Sequence, residues 1–133
     1  MNSHPRREFL LRALAACGTP FLMPLTSVEG LQKPQAGTAA AGYFGGRTDA
    51  ARAIGDAYIR QLGLDTSAES IRKASRGALK VIERASSQQT AISALGLAVR
   101  RDFQQGRSVQ LEGWIVSRTE AELCALTLLP ATN

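Results

Sequence analysis

Residues 108–126 read SVQLEGWIVSRTEAELCAL and carry the signals for a hairpin followed directly by a helix. Two short apolar runs flank Glu112-Gly113, an x-Gly pair of the kind that forms two-residue hairpin turns. Ser117 and Glu120 have the spacing of a capping box, in which the two residues satisfy each other's free backbone N–H groups at a helix start. The stretch therefore predicts two short antiparallel strands and a final helix through about Leu129.

Three amphipathic segments precede this hairpin. In residues 48–62 and 89–105, apolar side chains recur every three or four positions, and a glycine follows the last turn of each segment. Residues 66–84 open with a capping box of Thr66 and Glu69. The apolar faces require mutual burial, and an isolated hairpin needs helices or a partner's sheet to pack on. The predicted fold is therefore mostly α: a small bundle of three to four helices with a short β-hairpin before the last helix.

The predicted domain carries a small excess of positive charge. The chain of 133 residues has a formal charge of +5, and residues 42–133 contribute 12 basic and 9 acidic side chains. That excess is too small to predict a nucleic-acid partner. The second helical segment has a basic side that is either a solvated face or a docking face for an acidic partner; its members are Arg72, Lys73, Arg76, Lys80 and Arg84.

Histidine and cysteine usage argues against metal and cofactor sites. The only histidine is His4, so the domain has no imidazole for a metal, a haem or a catalytic dyad. The two cysteines are Cys17 and Cys124, which leaves no pair to close a disulfide within the mature domain. We therefore predict no cofactor and no metal.

The acidic residues also have non-catalytic interpretations. Glu112 belongs to the predicted turn and Glu120 to the predicted cap, while Asp102 follows Arg100 and Arg101 and is expected to form a surface ion pair. We find no glycine-rich phosphate loop and predict no catalytic residue. Trp114 lies beside Ile115 and Val116, a setting that favours a core position over stacking on a ligand.

The N-terminal residues resemble an export signal. Residues 5–11 read PRREFLL, and Arg6, Arg7, Phe9 and Leu10 match the pattern of the twin-arginine translocation signal. The following apolar run is too interrupted to be a good membrane-spanning helix. The alternative is a soluble amphipathic helix with two chance arginines. The resemblance implies recognition by the twin-arginine translocase, export as a folded chain and a periplasmic location.

The predicted domain boundaries follow from this signal. Residues 1–41 are the signal peptide and cleavage region, with small residues suited to cleavage at 38–41. Residues 42–47 are a linker, and residues 48–133 are the small helical domain. Residues 14–17 also have the form of a lipobox, which would make Cys17 a lipid-bearing N-terminus. We expect Cys17 to be removed with the signal, and membrane contact only during export unless Cys17 is lipidated.

Residues 102–107, 113–120 and 123–126 together resemble the C-terminal signature of small twin-arginine-signal proteins. Some of these are similar in layout to the small, gamma-type accessory subunits of periplasmic flavin-dependent sugar and alcohol dehydrogenases. The resemblance implies a non-catalytic escort that stabilises and co-exports a large oxidoreductase subunit, with Trp114, Arg118 and Cys124 as candidate partner contacts. Cys124 is otherwise a buried, unreactive thiol. The alternative function is a free-standing periplasmic binding or assembly domain.

Overall fold

The computed structural model describes residues 33–130. This part is mostly helical, with an antiparallel hairpin before the last helix, so the predicted fold class is confirmed. The elements are α1 (Ala36–Tyr43), α2 (Thr48–Gln61), α3 (Ala68–Ala74), α4 (Arg76–Arg84), α5 (Gln88–Gln104), β1 (Ser108–Leu111), β2 (Trp114–Ser117) and α6 (Arg118–Leu126). No helix within these residues is both long and apolar enough to cross a lipid bilayer.

The last helix, α6, is the centre of the core. Every residue from Ala121 to Thr127 is buried, and α6 contacts all five other described helices and both strands. Its most extensive partner is α2. Because residues 121–127 are covered on every side, Glu122, the charged residue among them, must find its partners inside the fold.

The hairpin and the helix that follows it form as predicted. The strands pair from Ser108 with Ser117 to Leu111 with Trp114. Both turn residues have positive φ, 48° at Glu112 and 88° at Gly113, as the tight hairpin turn requires. The capping box is confirmed too, because Ser117 Oγ accepts from the Glu120 N–H and Glu120 accepts from the Ser117 N–H, both over 3.0 Å.

The second helical segment differs from the prediction in two ways. The residue that caps it is Ser67, whose Oγ accepts from the Ser70 N–H, and not Thr66. The segment also breaks at Ser75 into α3 and α4. The Ser75 hydroxyl donates to the carbonyl of Glu122 over 3.1 Å, so the break is fixed by a residue far away in the chain.

Helix α1 lies where the sequence predicted a cleavage region and linker. Its residues are almost all Ala, Gly and Thr, which give no apolar stripe for periodicity to detect. Ala39 and Ala40 are nevertheless fully buried, and α1 packs against α5 and α6. Tertiary packing, rather than an amphipathic pattern, therefore stabilises this short helix. With it and the break at Ser75, the described helices number six instead of three to four.

The predictions for the export signal lie outside the described residues. They concern Arg6, Arg7, Phe9, Leu10 and the possible lipid attachment at Cys17.

Helices α2 and α6 approach each other closely at Gly55. A Cβ added there would lie 2.8 Å from the backbone nitrogen of Ala125 and closer still to the carbonyl of Cys124. We expect Gly55→Ala to lower the free energy of unfolding by about 2–3 kcal/mol, because two helix backbones must separate. Urea denaturation followed by circular dichroism measures the change.

Gly96→Ala in α5 is the matched control. An added Cβ at Gly96 meets no atom within 4 Å, so this variant should raise the free energy of unfolding by about 0.5–1 kcal/mol. Equal effects of the two substitutions would contradict the close packing of α2 on α6.

Candidate functional site

The hairpin tip, residues 112–115, projects large apolar side chains into solvent. Trp114 is 69% exposed and Ile115 is 67% exposed, so the expectation that Trp114 belongs to the core is wrong. Strand alternation places Ile115 on the opposite face of the hairpin from Leu111 and Trp114, which are paired and share a face. Leu111 is 2% exposed against the helices, whereas Trp114 lines an open groove beside α2.

A shallow groove separates Trp114 from α2. Its volume is about 360 Å³, and its α2 side is formed by Ala50, Ala53, Ile54 and Ala57. The small alanines leave room beside the indole. An exposed ion pair between Arg60 Nη2 and Glu112 Oε1, 3.7 Å apart, joins α2 to the hairpin turn. Such an exposed pair contributes little stability, so the tip is held mainly by the strands themselves.

Asp102 is a buried carboxylate, 4% exposed. It accepts hydrogen bonds from the Thr119 N–H and hydroxyl, each over 2.7 Å, and from Arg107 Nε over 3.0 Å. The predicted surface ion pair with Arg100 or Arg101 is therefore wrong, because adjacent residues of a helix point in different directions. Burial acts to raise the pKa of Asp102, but the hydrogen bonds from Thr119 and Arg107 outweigh it and the pKa is lowered.

Glu122 is the second buried carboxylate, 2% exposed. It accepts from the Ala78 N–H over 2.6 Å and pairs with Arg118 Nε over 3.3 Å. Gly77 makes room for it, since a Cβ there would lie 2.8 Å from Glu122 Oε2. Burial raises the pKa of Glu122, and the Ala78 N–H and Arg118 only partly oppose that effect.

Both carboxylates lie at a cavity of about 490 Å³ between α3, α4, α5 and the base of the hairpin. We call it the basic groove, because six cationic side chains line it: Lys73, Arg76, Lys80, Arg101, Arg107 and Arg118. The sequence identified Lys73, Arg76 and Lys80 as one basic helix side. It did not place the three other arginines beside them, because only the packing of separate helices brings the two sets together.

Cys124 is buried in α6, with 3% of its surface exposed. Burial, assisted by the charge of Glu120, raises the pKa of its thiol to about 12. The side chain is therefore closed to a partner protein, unlike Trp114 and the exposed Arg118. The structure favours the interpretation of a buried, unreactive thiol.

Comparison of the chain with models of known protein families, with curated proteins and with solved structures found no match. Within residues 33–130, no group of three or more His, Cys, Asp or Glu side chains is placed to hold a metal ion. Within residues 33–130, the hairpin tip and the basic groove are two candidate binding surfaces.

The hydrogen bonds of Asp102 can be tested through the pH dependence of stability, because they lower its pKa. Asp102→Asn should lower the free energy of unfolding by about 1–3 kcal/mol at neutral pH, because a charge-assisted acceptor is lost. The contribution of Asp102 is complete above the ordinary carboxyl pKa of 3.8 and is lost as pH falls through the lower pKa of the folded state. Urea denaturation at a series of pH values should show the two proteins converging in acid.

Glu122→Gln is the comparison, and its pH dependence has the opposite sign. Between the ordinary pKa of 4.5 and the raised pKa, folded wild-type protein holds the Glu122 proton more tightly than unfolded protein does. Wild-type stability therefore falls as pH rises through this window, whereas glutamine is unaffected. The free energy of unfolding of Glu122→Gln, relative to wild type, should therefore rise from pH 4 to pH 7. If Asp102→Asn and Glu122→Gln changed in the same direction with pH relative to wild type, the opposite pKa shifts of the two carboxylates would be refuted.

The thiol of Cys124 should resist alkylation in the native protein. Iodoacetamide reacts with thiolates, and a pKa of about 12 leaves almost none at neutral pH. Mass spectrometry of the peptide that contains Cys124 should find it unmodified after treatment of native protein and modified after treatment in denaturant. Rapid native labelling would show that α6 opens readily.

Proposed function

We propose that this chain is a non-catalytic accessory protein that binds a large oxidoreductase subunit, stabilises it and accompanies it through export. The observation that carries the proposal is the hairpin tip, where Trp114 and Ile115 are two-thirds exposed beside the groove on α2. A small domain gains nothing for its own stability from placing its single tryptophan in water. Covering that side chain with a partner would recover the lost contribution.

The energetics favour a protein partner. Full burial of a large apolar side chain contributes about 1.5–3 kcal/mol, so Trp114 and Ile115 together supply enough to anchor an interface. Tryptophan is among the residues that dominate binding energies when they fill a partner's pocket. Within the described residues the sheet has only two strands, so each strand also keeps an edge to which a partner strand could pair.

The nature of the partner rests on the sequence. Arg6 and Arg7 belong to the proposed twin-arginine signal, which serves cargo that folds before export. A domain of this size without a cofactor has no evident need of that route, whereas a flavin-loaded subunit without its own signal does. The resemblance of residues 102–107, 113–120 and 123–126 to small accessory subunits points to the same kind of partner.

Co-purification from the periplasm tests the proposal. The full chain, tagged at its C-terminus and expressed in its native host, should recover a large flavin-containing subunit that lacks a signal of its own. The double variant Trp114→Ala/Ile115→Ala should reduce recovery about tenfold or more, since two anchors are removed. Leu97→Ala/Phe103→Ala is the matched control, because both residues are exposed apolar side chains on α5, and it should retain the partner.

A second candidate function is a free-standing periplasmic binding or assembly domain. The groove between Trp114 and α2 favours it, because an indole beside a cavity can stack on a ligand. Recovery of the protein alone, as a well-folded monomer, would reject the escort function and favour this one. Recovery of the same partner by both double variants would reject the hairpin tip as the binding surface.

A further inference from the structure

The excess positive charge of the described chain is concentrated in the basic groove. Residues 33–130 contain thirteen basic and nine acidic side chains, an excess of four. The groove holds six of the basic and two of the acidic side chains, which is also an excess of four. The remaining seven basic and seven acidic residues cancel. Like charges repel in a confined space, so this concentration is unfavourable unless something anionic offsets it.

Two of the cations are fixed in position at the bottom of the hairpin. The Arg118 N–H donates to the carbonyl of Arg107 over 3.0 Å, so the two backbones are joined. Each guanidinium is anchored through Nε, Arg107 to Asp102 over 3.0 Å and Arg118 to Glu122 over 3.3 Å. A guanidinium has five N–H donors, so anchoring through Nε leaves donors for a ligand. The buried carboxylates thus hold two arginines side by side at low entropic cost.

The other four cations are Lys73, Arg76, Lys80 and Arg101, and they surround this pair. Within residues 33–130, none of the four has a carboxylate oxygen within 4.0 Å. All four are exposed, so they can move to meet a ligand. Between them the cavity has small or apolar walls at Ala74, Gly77, Val81 and Ala98, and its volume of about 490 Å³ lies in the range of small-molecule sites.

We propose that the basic groove binds a multivalent oxyanion of the phosphate class, either as a free phosphate compound or as the phosphate of a lipid headgroup. The planar fork of arginine matches phosphate oxygens, and lysine supplies additional point charges. An excess of four charges in one cavity requires a ligand with a high density of negative charge. A phosphate monoester or diphosphate carries two or more charges on a compact group, whereas an acidic peptide spreads single charges along an extended backbone.

The first experiment measures binding by the full chain at low and at physiological salt. Isothermal titration calorimetry with pyrophosphate tests the free compound, and co-sedimentation with phosphatidylcholine vesicles containing phosphatidic acid tests the lipid headgroup. Phosphatidylcholine vesicles alone are the blank. Binding in either arm supports the proposal and identifies the source of the phosphate. Salt should weaken the binding, because exposed cations carry it. Absence of binding in both arms, or tighter binding of poly-glutamate than of pyrophosphate, overturns the proposal.

The second experiment assigns the binding to the groove. Arg76→Ala/Arg101→Ala removes two groove cations that have no carboxylate partner within residues 33–130, and it should weaken binding about tenfold or more. Arg47→Ala/Arg52→Ala is the matched control: it removes the same charge from exposed arginines outside the groove and should change affinity less than about twofold. Circular dichroism checks that both variants remain folded. Equal weakening by the two variants would show non-specific attraction to net charge and overturn the groove as the site.

Discussion

The burial of α6 from Ala121 to its end is the constraint on which the rest of the structure depends. A helix inside a core must satisfy its first free N–H groups and the charges of its own side chains without water. Asp102 of α5 accepts from the N–H and hydroxyl of Thr119 in the first turn of α6. Glu122 of α6 in turn accepts from the Ala78 N–H near the start of α4. Two buried carboxylates thereby connect α4 and α5 to α6, which follows them only after the hairpin.

The same two carboxylates organise the surface. They hold Arg107 and Arg118 at the base of the hairpin, so the network that satisfies the core also places the fixed charges of the basic groove. The hairpin is consequently anchored at its base, while at its tip one exposed ion pair joins the turn to α2. Its base is tied into α5 and α6, and its tip carries Trp114 and Ile115 outward. A recognition element with a rigid base and an exposed apolar tip can bind a partner without the entropic cost of first becoming ordered.

Local signals were sufficient for much of the fold. Sequence alone predicts features that depend on residues close together in the chain. These are the Glu112-Gly113 turn, the capping box of Ser117 and Glu120, and the amphipathic faces of α2 and α5. The break at Ser75 could not be predicted from local sequence, because Glu122, 47 positions away, fixes it. The burial of Asp102, the exposure of Trp114 and the assembly of the basic groove likewise depend on how separate helices pack, which periodicity cannot specify.

The alanines of α1 limit how far this chain can be shortened from its N-terminus. Ala39 and Ala40 are fully buried, although the composition around them suits a peptidase. A cut at residues 38–41 would excise part of the hydrophobic interior and expose the surfaces of α5 and α6 that α1 covers. A recombinant protein that starts at residue 42 therefore has a different folding stability from one that starts at residue 33. Solubility and yield of truncated proteins will depend on which side of Ala36 their first residue falls.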